Sequence, residues 1–149
     1  MTAEDPSEAP AGGSVPRVVL DMNVVATGLR STAGASFEVL IKAAQDRFVI
    51  AMSVPLFFEY EDVLSRPALN VDPAAAQTFL DFLTDVADFT VVDFLIRPSL
   101  RDQDDEHVLE LAVMAGCGWV VTYNVRDLAG FDRYGVRVVT PAAFLEEID

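Results

Sequence analysis

Four acidic residues, Asp21, Glu59, Asp105 and Asp127, each lie just past an apolar segment of the chain. Those segments read Arg17-Val-Val-Leu, Phe48-Val-Ile-Ala, Phe89-Thr-Val-Val and Gly118-Trp-Val-Val-Thr122. If they are parallel strands, all four carboxylates gather at one edge of a sheet. Carboxylates that close repel one another unless a cation sits among them, and hard divalent cations take oxygen ligands. The chemistry such a group would serve is metal-dependent cleavage of a phosphodiester.

Each acid also has a purely local reading. Asp21, with Asn23 two residues on, fits an Asx-turn at a strand end as well as a ligand crevice. In Leu56-Phe-Phe-Glu59-Tyr60-Glu61-Asp62-Val-Leu64 the apolar helical arc centres near Tyr60 and Leu64. Glu59 and Glu61 fall on opposite borders of that arc, so periodicity does not choose between them, and Asp62 points away. Asp102, Asp104, Asp105 and Glu106 begin a helix, where carboxylates cap and oppose the dipole. Asp105 shares a face with Val108, Leu109 and Ala112 and is slightly favoured as inward-pointing; Asp104 shares one with Val108 and Leu111. Asn124 and Asp127 form a capping pair that is compatible with metal binding. His107, the only histidine, is expected to face solvent, because no second His or Cys supports a zinc site or a triad. No Gly-rich phosphate loop stands inside the fold, since Ala11-Gly12-Gly13-Ser14 precedes it.

The elements that must position these acids alternate along the chain. Strands are expected at 17–20, 48–51, 89–92, 119–122 and 136–139. Helices are expected at 36–46, from the Ser53 cap to about 65, from Asp72-Pro73 to about 86, at about 104–115 ending on Gly116, near 125–129, and after Thr140-Pro141. Residues 97–104 read as a polar loop. Strands written as continuous apolar runs between helices mean an α/β fold, a parallel sheet covered on both faces. In such sheets ligands bind beyond the carboxyl ends of the strands, which is the side of every acid named above.

At 149 residues the chain holds one domain, 17–149, behind a polar, disordered tail at 1–16. The first residues are acidic and lack an apolar stretch, so no secretory signal is expected, and no run is long enough to span a membrane. The lone Cys117 lies in an apolar stretch, as a buried thiol would in a reducing cytoplasm. Twenty-four Asp and Glu against ten Lys and Arg give a net charge of −14. That field opposes nucleic acid at long range, although bound cations invert the local sign and Arg30, Arg97, Arg101 and Arg126 could line a rim.

Taken together, Val19-Leu-Asp21-Met22-Asn23, Glu59-Tyr-Glu-Asp-Val-Leu-Ser-Arg-Pro67, Asp102-Gln-Asp-Asp105 and Val121-Thr-Tyr-Asn124-Val-Arg-Asp127 resemble the PIN-domain family. They look closest to its branch of toxins from bacterial toxin–antitoxin pairs. The resemblance implies a three-layer α/β/α fold with a five-stranded parallel sheet in the order 3-2-1-4-5. It further implies a Mg²⁺- or Mn²⁺-dependent ribonuclease leaving 5′-phosphate and 3′-hydroxyl ends. The implied catalytic and metal-binding acids are Asp21, Glu59, Asp105 and Asp127, with Asn23, Thr122 and Asn124 as polar support. The chain departs from the pattern at Met22, where the family usually places Thr or Ser. An antitoxin protein and RNA are the implied partners, and apolar residues at 36–46 and 53–65 could supply a docking groove or a homodimer seam. The competing reading is a PIN-like module that binds protein and no longer cuts. A phosphoacceptor receiver domain is a poor fit, since the only lysine, Lys42, lies in the first helix.

Overall fold

The computed structural model describes residues 15–92 and 103–148, with side chains from 107 onward in the second segment. Five parallel strands form one sheet in the order β3-β2-β1-β4-β5, where β1 is Arg17–Leu20, β2 Val49–Met52, β3 Asp88–Phe89, β4 Trp119–Val121 and β5 Arg137–Val139. The register sets Val18 beside Ile50 on one side and Trp119 on the other, and Leu20 beside Val121. Val18, Val19 and Leu20 are wholly buried, because the central strand has helices above and below it and no face for a polar side chain. Their burial stabilises the fold by about 1.5–3 kcal/mol per side chain.

Helices fill the crossovers: α1 Met22–Arg30 and α2 Ala35–Ala44, α3 Val54–Leu64 and α4 Pro73–Val86, then α5 Gln103–Met114 and the closing α6 Pro141–Ile148. The Ser53 and Asp72 caps foreseen in the sequence are made, whereas the Asn124–Asp127 capping pair is not, because a turn stands there in place of a helix. The Leu56 N–H donates to Ser53 Oγ and the Ala75 N–H to Asp72 Oδ2, each at 3.2 Å. Gly116 closes α5 in the left-handed region, at φ +69°. Beneath β2 and β4, Phe144 of α6 meets Phe48 and Trp119 edge-on, with centroids 5.1 and 5.5 Å away.

Three expectations are corrected. Residues 22–30 form a helix that was not foreseen, because Val24, Val25, Thr27 and Gly28 all have poor helix propensity. Packing overrides propensity there: a Cβ on Gly28 would stand 2.7 Å from Leu40 Cδ1 and 3.0 Å from the Ser36 carbonyl, so only glycine lets α1 lie this close to α2. The third strand is two residues long rather than four, and β3 is an exposed edge, with Val91 beyond it 85% accessible. The short helix expected near 125–129 is a turn, followed by a 3-10 helix at Ala129–Tyr134 that buries Phe131. The loop expected at 97–104 lies largely outside the described residues, as does most of the tail.

Candidate active site

Asp21 follows β1 directly and is the N-cap of α1. Its backbone N–H continues the sheet to the Val121 carbonyl at 2.9 Å. Its carboxylate is held from two sides. Oδ1 accepts the Met22 N–H at 2.8 Å, and Oδ2 accepts the Thr122 hydroxyl at 2.6 Å. Thr122 is itself wholly buried, and its Oγ1 accepts the Asn124 N–H at 2.9 Å. A relay from Asn124 through Thr122 therefore fixes the plane of the Asp21 carboxylate, using residues at the ends of adjacent strands.

Glu59 reaches the same place from α3. Leu56, Tyr60 and Leu64 form the buried stripe of that helix, which leaves Glu59 half-buried at its edge and Glu61 exposed. Structure thus separates the two acids that periodicity left equivalent. Glu59 lines a cleft of about 370 Å³ together with Asp21, Asn23, Arg30 and Asn124. Glu61 lines a different hollow, beside Arg66 and Asn70.

Next to Glu59 on α3, and within the field of both carboxylates, is a residue whose sequence pattern reads as core alone. Tyr60 is wholly buried and donates its hydroxyl to the Leu20 carbonyl, the last of β1. Burial, then the negative charges of Asp21 and Glu59, hold its phenol protonated well above the ordinary range. The available signal was chemical: a tyrosine on a buried stripe must find a partner for its O–H. Asn23 lies in the first turn of α1, and its Oδ1 is 3.5 Å from the Tyr123 N–H.

The remaining expected residues are placed less closely. Asp127 is exposed, follows a turn in which its N–H bonds the Asn124 carbonyl at 3.1 Å, and does not line the cleft. Asp105 lies in the first turn of α5, a helix that packs on β1, β2 and β4, but its side chain is outside the described residues. Val108, Leu109 and Ala112, with which it shares a face, are all buried. His107 is half-buried rather than solvent-facing. Cys117 is buried, and burial, offset by Arg17 and reinforced by Asp88, pushes its thiol up to about 11.

Among the described residues no group of three or more His, Cys, Asp and Glu could hold a metal by itself. The pair Asp21 and Glu59, with two Asn side chains and neither Cys nor His among the described residues lining the cleft, nevertheless offers oxygen donors; the one sulfur there is the Met22 thioether, a poor ligand for a hard cation. Oxygen donors suit a hard divalent cation. The pair lies outside the carboxyl ends of the strands, which is where sheets of this kind bind ligands.

A family model described as the PIN domain matches residues 17–126. The chain belongs to the PIN-domain family. PIN domains are typically nucleases and generally use divalent metal ions. No curated protein matches the chain significantly. Among the described residues no helix is long and apolar enough to cross a membrane.

Proposed function

We propose that this PIN domain is a Mg²⁺- or Mn²⁺-dependent endoribonuclease, acting in the cytoplasm as the toxin of a toxin–antitoxin pair. The observation that carries the reading is the convergence of Asp21 and Glu59 on one cleft, with Asp21 locked by the Thr122 hydroxyl. Asp105 and Asp127 complete the set of catalytic carboxylates that the sequence resemblance implies.

Each side chain has a task. Asp21 and Glu59 would hold the cation, and the Thr122 hydroxyl and the Met22 N–H fix the Asp21 carboxylate for that role. The bound ion supplies a lowered pKa for water and neutralises charge on the phosphate. Asn23 and Asn124 line the cleft as amide groups able to orient a phosphate oxygen or a water. Met22 brings no hydroxyl to the site, so the hydroxyl that Asp21 accepts is that of Thr122, just past β4.

A second surface supports the antitoxin part of the reading, and it is lined from the 36–46 segment as expected but from α4 in place of the 53–65 segment. Leu29, Phe37, Leu40, Ile41, Phe79 and Phe82 line an apolar groove of about 450 Å³ between α2 and α4. An amphipathic segment with basic flanks would complement both that groove and the −14 charge.

Cleavage of a mixed RNA pool with Mg²⁺, Mn²⁺ or EDTA, by wild type and Asp21→Asn, tests the function. Metal-dependent cutting that vanishes in the variant supports it. Equal traces in both proteins would favour a protein-binding module.

A further inference from the structure

Helix α1 carries more of the cleft than its capping acid. Asn23, Ala26, Thr27 and Arg30 line it in sequence, at the i, i+3, i+4, i+7 spacing of one helix face. The cleft therefore runs lengthwise along α1, from the carboxylates at the amino end to a guanidinium at the carboxyl end. Nine helical residues rise about 13 Å. The Arg30 guanidinium folds back onto Thr27, six residues and about 9 Å of rise beyond Asp21, which places it past the phosphate that lies at Asp21, where a further phosphate of the same strand would run.

Arg30 is the sole cation among the described residues that line this cleft. It is anchored rather than loose: NH1 donates to the Leu69 carbonyl at 3.2 Å and NH2 to Thr27 Oγ1 at 3.4 Å. A guanidinium has more N–H donors than those two contacts use, arranged in a fixed fork that matches phosphate. Anchoring at both ends of the fork lowers the entropy cost of a further contact. In a chain this acidic, one pre-positioned cation in the same cleft as a carboxylate pair has an evident electrostatic use.

We propose that Arg30 is a remote phosphate subsite, which binds the backbone of a single-stranded RNA beyond the nucleotides flanking the scissile bond. The inference rests on the nuclease reading for the location of the scissile phosphate. Its consequence is a minimum substrate length: the one phosphate of a dinucleotide lies at Asp21 and leaves none for Arg30, whereas a longer strand supplies both. A single strand fits better than a duplex because it can follow a cleft that tracks one helix.

The experiment compares wild type, Arg30→Gln and Arg30→Lys on a dinucleotide and on a long single-stranded oligonucleotide in Mn²⁺. Arg30→Gln should raise KM for the long strand about tenfold, as loss of a charge-assisted contact does. It should flatten the salt dependence by about 0.7 in log–log slope and leave dinucleotide turnover unchanged. Arg30→Lys should restore the slope, because it keeps the charge. A merely structural role at Leu69 would lower the melting temperature and impair both substrates alike, which would overturn the proposal. Binding of the long strand in the Asp21→Asn background separates the two readings. If wild type cuts nothing, the nuclease reading fails, yet about tenfold weaker binding on adding Arg30→Gln would still uphold the subsite. Equal binding with and without Arg30 would remove it.

Discussion

Thr122, at the carboxyl end of β4, donates its hydroxyl to Asp21, at the carboxyl end of β1, across 2.6 Å and 101 positions of sequence. The bond is buried on the Thr122 side and joins the two strands on which the site depends. Replacing Thr122 by the isosteric Val leaves an Asp21 oxygen and the Asn124 N–H without this partner. The expected cost is about 1–3 kcal/mol in stability and about 10–100-fold in turnover. Thr122→Ser should recover most of both. Urea unfolding beside kcat/KM checks this, and full activity in Thr122→Val would show that Asp21 needs no such support.

Asp21 has two tasks that separate by substitution. As an N-cap it accepts the Met22 N–H, which an Asn side chain also does; as a cleft carboxylate it carries charge, which Asn does not. Asp21→Asn should therefore melt above Asp21→Ala without metal, since it keeps the cap although its NH2 cannot accept the Thr122 hydroxyl, and it should lose nearly all cleavage. Asp21→Ala should lose cleavage and about 1 kcal/mol besides. Thermal melts of the metal-free proteins decide, and an Asn variant as unstable as the Ala variant would contradict the capping account.

Glu59 and Glu61 provide an internal control. Only Glu59 lines the cleft, although the two are separated by a single residue. Glu59→Gln should abolish most turnover, and Glu61→Gln should change it by less than about twofold. An RNA-cleavage time course with both variants measures the contrast, and similar losses in the two would place the second carboxylate elsewhere.

Local chemistry was the legible part of this sequence. Ser53 and the Asp72-Pro73 pair mark α3 and α4 because a cap is made within a few residues of itself. The apolar runs of β1, β2 and β4 declare buried strands for the same reason. What stayed hidden is non-local. Helix α1 exists because Gly28 fits against Leu40 and Ser36, which no propensity reports. β3 is short because Val91 faces outward at the sheet edge, where an apolar run gains little by continuing. The tie from Tyr60 to Leu20 spans 40 positions and could be foreseen only as a phenol in need of a partner.

That tie is open to test. Tyr60 fixes the helix carrying Glu59 to the strand carrying Asp21. Tyr60→Phe keeps the ring and its packing but strands the Leu20 carbonyl in the core. A loss of about 1–3 kcal/mol is expected by urea titration, with a rise in the Mn²⁺ concentration for half-maximal cleavage. Loss of stability with an unchanged Mn²⁺ midpoint would confine Tyr60 to a packing role.

Among the described residues, the fold suppresses the acidity of Cys117 and Tyr60, and the alkaline limit of stability follows from them. Cys117 rises from 9.0 to about 11, and Tyr60 rises well above 10.0. In both, the unfolded chain releases its proton at lower pH than the native one. The unfolded state therefore binds fewer protons over that interval, and stability falls as pH increases. The contributions are intact below about pH 9, and the decline begins with Cys117 between 9 and about 11, joined by Tyr60 above 10. Cys117→Ala should remove the first part of the decline and leave the second, whereas Tyr60→Phe should do the reverse. Urea midpoints taken across this range for the three proteins test the assignment. A wild-type midpoint that holds flat through pH 11 would mean that neither proton is retained by burial.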